Sequence, residues 1–398
     1  MAAVLTRIVG IQNLDLAQDL VQDTLLKAIN TWKIKGIPEN PSGWLYTVAK
    51  RKAIDAIRQQ KIHHEIESNL ARAFKSEWTL APTVKHLFFE HEIEDSQLRM
   101  MFACCHPSIP YESQIALTLK TLCGLSVSEI AHSFLTNEET ITKRLYRAKE
   151  KIREEKIDLE IPSAATLTSR LESVLHSLYL LFTEGYNSSH PDQLIRHDLC
   201  EEAMRLCLLL TRNSLTDLPN ARALLALMCF QASRADARLD SSGNIILLKD
   251  QDRKLWNRPL IEKGTEYLNA SANGELLSEY HLEAAIAACH AQVGTFEETD
   301  WKRILGLYEI LSSIKSDPIV EMNQAIVLGF AETAAKGLAK LKTIKGLENN
   351  VIYHAALGDF YHQTKNLNNA RLEYELAISL TKSNSEIELL RKKISALV

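Results

Sequence analysis

The chain has 398 residues, 46 % of them hydrophobic and 24 % charged, with a net charge of −4. This is enough chain for two or three domains with their own cores, at the balance of an ordinary globular protein. It excludes a bilayer-spanning helix, because no apolar run approaches the ~18–20 residues that a span needs, and it lacks the overall positive charge that draws a protein onto nucleic acid.

The opening stretch MAAVLTRIVGIQN is interrupted at Arg7 too early for a signal peptide, so the expected location is cytoplasmic. From Asn13 to Trp32, the residues Ala17, Leu20, Val21, Thr24, Leu25, Ala28 and Trp32 form one helical stripe, with Asp15 as its expected N-cap. The opposite face carries Gln18, Asp19, Gln22 and Asp23. This is either an ordinary wet face or a compact acidic and amide patch.

Charge is then concentrated. Between Lys27 and Lys61 eight basic residues meet only Glu39 and Asp55, so the segment is +6 and the rest of the chain −10. Such a focus is a solvated helix face or an electrostatic footprint for phosphates. Within it, Asn40 caps and Pro41 opens a helix that turns Leu45, Val48, Ala49, Ala53, Ala56 and Ile57 inward. Lys50, Arg51 and Arg58 are left for phosphates. Trp44 and Tyr46 lie beside the loop from Lys33 to Gly43. Aromatic rings next to cations suit single-stranded nucleic acid, whose unstacked bases need a π-face. Trp44 as a core residue is the other reading.

Residues 1–60 thus read as one helical module and 61–94, without a clean period, as a linker. Residues 95–156 form a second module. In it Val127, Ile130, Ala131 and Phe134 pack inward from one short helix, and Ile141, Leu145, Ala148 and Ile152 from the next. Glu139, Thr140, Lys143, Arg144 and Arg147 face outward. A short turn followed by a basic helix reads as a helix-turn-helix whose second helix enters a major groove. A plain helical hairpin is the alternative.

From residue 162 to 398 the chain reads as a helical array. Leu357-Gly358, Tyr361, Ala370, Tyr374 and Ala377 have the spacing of a tetratricopeptide repeat, in which Gly358 and Ala370 let two antiparallel helices approach. Pro318 to Ile344 resembles a degenerate second copy, and segments around Leu206, Leu225, Ile286 and Leu307 are helical at similar length. A single repeat cannot bury its own faces, so a continuous array is expected. Only Leu239 to Asp250 suggests a hairpin, around Ser242-Gly243. The fold class is all-α.

The segments LAQDLVQDTLLKA, NPSGWLYTVAKRKAIDAIR and LSVSEIAHSFLTNEETITKRLYRAKEKI, in this order, resemble an extracytoplasmic-function (ECF) sigma factor of bacterial RNA polymerase, in the sigma-70 family. The resemblance covers about residues 4–153. LRMMFACCHPSIPYESQIALTLKTLCGLS, LYLLFTEGYNSSH and DQDRKLWNRPLI are similar to the subgroup with a tetratricopeptide-like C-terminal extension. The resemblance implies that Asp19, Gln22 and Asp23 contact the β′ clamp helices of the polymerase. It implies that Trp44, Lys50, Arg51 and Arg58, with the adjacent loop, hold the melted −10 strand. Thr140, Lys143, Arg144 and Arg147 would touch −35 DNA. The implied partners are core RNA polymerase, through β′ and β, and promoter DNA, with no cofactor. A protein or peptide partner is expected on the array, whose role would be regulatory. Family members usually carry about one more helical segment before the position of Val4, so the chain is expected to start inside the first region 2 helix.

Other signals are weaker. Cys104, Cys105 and His106 lack zinc-finger spacing, and none of the seven cysteines forms a C-x-x-C pair, so buried thiols are expected rather than a metal site or a disulfide frame. No phosphate-binding glycine loop or nucleophile elbow occurs, and no catalysis is expected. Asp236 to Leu260 is the odd segment of the array, with Asp240, Asp250, Asp252, Arg253 and Trp256 close in sequence. It is read as a turn closed by charge pairs, or as a ligand pocket. Two other readings remain: a tetratricopeptide scaffold without promoter-specific DNA binding, and an enzyme built on that odd segment.

Overall fold

Helices supply all the regular structure among the described residues, apart from one isolated antiparallel bridge between Leu239 and Ile245. The computed structural model describes residues 1–60, 90–134, 136–188, 194–274 and 277–397. With only 14 glycines and 10 prolines in the chain, little interrupts helical periodicity. The expected hairpin at Leu239–Asp250 is reduced to that single bridge. Gly243 turns the chain at φ +80°, and Asp240 accepts hydrogen bonds from the amides of Ser242 and Asn244, so an Asx turn closes a short pairing in which the Asp240 amide donates to the Asn244 carbonyl at 2.9 Å and the Ile246 amide to the Arg238 carbonyl at 2.8 Å.

The chain divides into two units, Met1–Ser177 and Leu178–Val398. In the first, α1 (Ala2–Val9), α2 (Leu14–Lys35) and α3 (Pro41–Gln60) surround a core of Val4, Leu5, Ile8, Val9, Ala17, Leu20, Ala49, Ala53 and Ile57. Thr24 belongs to the buried stripe because its hydroxyl donates to the Leu20 carbonyl at 2.7 Å. Leu25, expected in the same stripe, is 43 % exposed. One helix has only a limited arc to bury, and Leu20, Thr24 and Ala28 fill it.

Next come α4 (Glu90–Cys104), α5 (Tyr111–Thr121), α6 (Val127–Ser133) and α7 (Glu138–Glu154). Most of the expected linker lies outside the described residues, and its last five residues belong to α4. Cys104 and Cys105 are fully buried. Their thiols lie 3.3 Å from the Thr121 hydroxyl and 3.7 Å from that of Thr118, and burial pushes both thiol pKa values up. The division between the units falls inside α8 (Ala164–Tyr186).

The second unit continues with α9 (His197–Arg212), α10 (Pro219–Ser233), α11 (Arg258–Ser271), α12 (Glu279–Ala291), α13 (Trp301–Ile314), α14 (Pro318–Ala331), α15 (Ala334–Leu341), α16 (Val351–Gln363), α17 (Leu367–Leu380) and α18 (Asn384–Ser395). Helices adjacent in sequence pack in pairs, α14 on α15 and α16 on α17. In the second pair a Cβ at Gly358 would stand 2.5 Å from the Tyr374 ring, so glycine sets the helix separation. Tyr374 is buried, and its hydroxyl donates to Asp359 at 2.7 Å. Lys393 of α18 pairs with the same carboxylate at 2.7 Å.

The Gly358→Ala variant is expected to destabilise this unit. Overpacking costs about 1–3 kcal/mol, and helix propensity returns about 1 kcal/mol of it. Urea unfolding followed by circular dichroism checks this. An unchanged midpoint would show that the Tyr374 ring yields freely.

Candidate nucleic-acid interface

On α2 lies the acidic and amide face. Asp19, Gln22 and Asp23 are all exposed. Asp23 accepts from Lys52 of α3 at 2.9 Å, so the patch is tied to the basic helix beside it. Leu26 and Ile29 continue the same face one and two turns on, by i+3 and i+4 steps, and are 58 % and 63 % exposed. The sequence analysis did not single out this apolar strip. A leucine outside the stripe was the available signal, and the burial of Leu20 and Thr24 instead of Leu25 is what makes it legible.

Asp15 is not the N-cap. Asn13 occupies that position, and Asp15 sits in the first turn, where the helix dipole favours a carboxylate. There it pairs with two cations of α7: Lys149, and Arg153 at 3.3 Å. The Gln12 side-chain amide also donates to the Ile157 carbonyl at 3.3 Å.

The start of α3 is shaped by Asn40, whose side-chain oxygen accepts from the Gly43 amide at 2.8 Å. Trp44, half-buried, meets Trp32 edge to face with ring centres 5.4 Å apart. It is thus part of a packed aromatic pair rather than a free ring. Because α2 runs to Lys35, the connection to α3 is shorter than expected, and Ile34 and Ile37 beside it are 84 % and 72 % exposed. Lys50 is half-buried. Arg51 is exposed and forms no ion pair among the described residues. The Arg58 side chain lies outside the described residues.

In the second module Ser126 and Glu129 form a reciprocal cap on α6, with the Ser126 amide donating to the carboxylate at 2.6 Å and the Glu129 amide to the hydroxyl at 3.1 Å. Asn137 caps α7, accepting from the amide and the hydroxyl of Thr140 at 2.8 and 2.9 Å. Ile141, Leu145, Ala148 and Ile152 are buried as expected, so the outward face is fixed. On it Lys143 pairs with Glu139 at 2.6 Å, while Arg144 and Arg147 form no ion pair among the described residues. Tyr146, next to Arg147, is 61 % exposed. The cations of α7 are therefore sorted. Lys149 and Arg153 are engaged by Asp15, and Arg144 and Arg147 are left without an ion pair among the described residues.

A capped turn, a basic outward helix and an arginine-bearing helix beside an aromatic pair define a helical DNA-binding protein. Residues 2–62 match Sigma-70 region 2, residues 99–152 match Sigma-70 region 4, and residues 170–272 match a family of unknown function, DUF6596. An uncharacterized protein of Rhizobium meliloti (strain 1021) is 34 % identical over 389 residues, 97 % of this chain and 91 % of that protein. The RNA polymerase sigma factor SigV of Bacillus subtilis (strain 168) is 28 % identical over 138 residues, 35 % of this chain and 74 % of that protein. No solved structure matches the chain. The chain belongs to the sigma-70 family of sigma factors.

If Leu26 and Ile29 are contact residues rather than core, serine at either position changes stability by no more than about 0.5 kcal/mol. Leu20→Ala, in the core, costs about 2–5 kcal/mol. Chemical denaturation of the three variants separates the two cases.

Proposed function

We propose that the chain is an ECF-type sigma factor that binds core RNA polymerase, directs it to particular promoters and helps melt the −10 region, without a catalytic step of its own. The observation that carries this reading is the order of the two matches, region 2 at residues 2–62 and region 4 at 99–152, each on helices that bury an apolar stripe and turn charge outward. Asp19, Gln22 and Asp23, with Leu26 and Ile29, would form the face for the β′ clamp helices. Arg51 and Lys50, with Arg58, would hold the melted −10 strand beside Trp44. Thr140, Lys143, Arg144 and Arg147 would meet the −35 element, phosphate contacts setting the register and one or two base contacts the specificity.

The helical C-terminal region would act as a regulator, by restraining the promoter-reading modules or by binding a protein or peptide. This places the protein in the cytoplasm, where the polymerase is. No helix among the described residues is long and apolar enough to cross a membrane.

Run-off transcription with core polymerase and genomic promoter fragments tests the reading. Promoter-specific transcripts are expected from the full chain or from residues 1–177. Their ratio reports whether the C-terminal region restrains or supports initiation. No transcripts from either, with both folded, would favour the scaffold reading. Arg147→Ala should weaken promoter binding and lower the slope of log affinity against log salt by about one.

A further inference from the structure

The segment Asp236–Leu260 stands out in the sequence and lies outside the residues matched to Sigma-70 regions 2 and 4. With its neighbours in the fold it gathers three arginines that form no ion pair among the described residues. Arg253 is 8 % exposed. Its guanidinium carbon lies 4.0 Å from the centre of the Trp256 ring, and its Nη1 donates to the His290 carbonyl at 2.7 Å. Its Nη2 has no hydrogen-bond partner among the described residues. The same is true of the Trp256 indole Nε1, in a residue only 3 % exposed, and of the His290 Nδ1.

The other two arginines rest on Tyr186. Arg234 donates to its hydroxyl, and Arg238 donates to its carbonyl with the guanidinium carbon 4.0 Å from the ring centre. None of the three forms an ion pair among the described residues. The expected charge-pair closure of this segment is therefore not what holds it. Asp240 is spent on the backbone of its own turn, and Asp252 caps the turn that begins at Arg253. Glu297, whose field reaches Arg253, is exposed and makes no ion pair with it.

Buried cations are ordinarily paired. Here they lie close enough to act on one another. Burial, then the charges of Arg234 and Arg253, depress the His290 pKa to about 4, so its ring is neutral and Nδ1 donates in the Nδ1–H tautomer. The unpartnered groups are a guanidinium N–H, an indole N–H and an imidazole nitrogen, set among positive charges. That donor set is complementary to an oxygen anion.

We infer that Arg253, Trp256 and His290, with the charge of Arg234, form a binding site for a small oxyanion, either a carboxylate or a phosphate-type group. The donor atoms carry almost no surface, so the ligand must be small and must shed its water. Residues 170–272, which share a family of unknown function, contain every one of these side chains except His290. The inference does not depend on the sigma-factor reading.

The test is thermal unfolding of the full chain in sodium acetate, succinate, phosphate or sulfate, each against sodium chloride at equal ionic strength. At least one oxyanion is expected to raise the transition saturably where chloride does not. Response to the carboxylates alone would identify an organic acid, and response to phosphate and sulfate alone a phosphate-type ligand. Trp256→Phe keeps the ring and loses the N–H. Arg253→Lys keeps the charge and loses the fork. Each should raise the half-saturating concentration by about tenfold. Equal gains from chloride would overturn the site. So would an oxyanion response that survives unchanged in Trp256→Phe, the variant that decides the matter if Arg253→Lys does not fold.

Discussion

The first unit depends on α1. One face, Val4, Leu5, Ile8 and Val9, closes the core over α2 and α3. Arg7, on another face, bridges Glu92 and Asp95 of α4, at 2.9 Å each, and Arg99 shares Asp95 at 2.8 Å. These groups are about three-quarters buried, so their attraction is less screened than that of a surface pair. A single eight-residue helix thus joins the arginine-bearing α3 to the helices that precede the helix-turn-helix. Apolar burial supplies the adhesion, and the shared carboxylates fix the register.

A second link runs from Asp15 to Lys149 and Arg153. Ion pairs this exposed contribute little to stability. Their effect is to divide α7 lengthwise. Lys149 and Arg153 reach back to Asp15, while Arg144, half-buried, and Arg147, exposed, lie nearer the middle of the helix. In helix-turn-helix docking it is the N-terminal part of the second helix that lies toward base edges.

The elements were legible where a helical period is clean. Ile141, Leu145, Ala148 and Ile152 lie every three or four residues, and burial follows that spacing. Gly358, Ala370 and Tyr374 were legible because close helix approach demands a small residue opposite a large one. What escaped was tertiary. Nothing local marks Asp15 as the partner of cations more than 130 residues away, and a capping role was the sound local expectation. Leu25 fits the stripe by period, and only the width of the neighbouring surface leaves it outside. That Trp44 packs edge to face on Trp32 is a tertiary contact that no local pattern marks. Arg234 and Arg238 sit outside any motif, whereas Arg253 and Trp256 were conspicuous in sequence. The cluster exists because the fold brings Tyr186 and His290 to them.

The thiols give the architecture a built-in clock. Six of the seven cysteines are buried, and they are distributed over both units. A buried thiol reacts only in molecules whose helices have parted around it, and burial also holds these thiols in the unreactive protonated form. Alkylation rates at Cys104 and Cys105 therefore report the breathing of α4 against α5, and those at Cys207 and Cys229 the breathing of α9 against α10, each in units of opening free energy. Oxidants would reach these six thiols in the open fraction alone, so their sensitivity to oxidative damage follows the rarity of the local opening rather than the content of sulfur, whereas the partly exposed Cys123 needs no such opening.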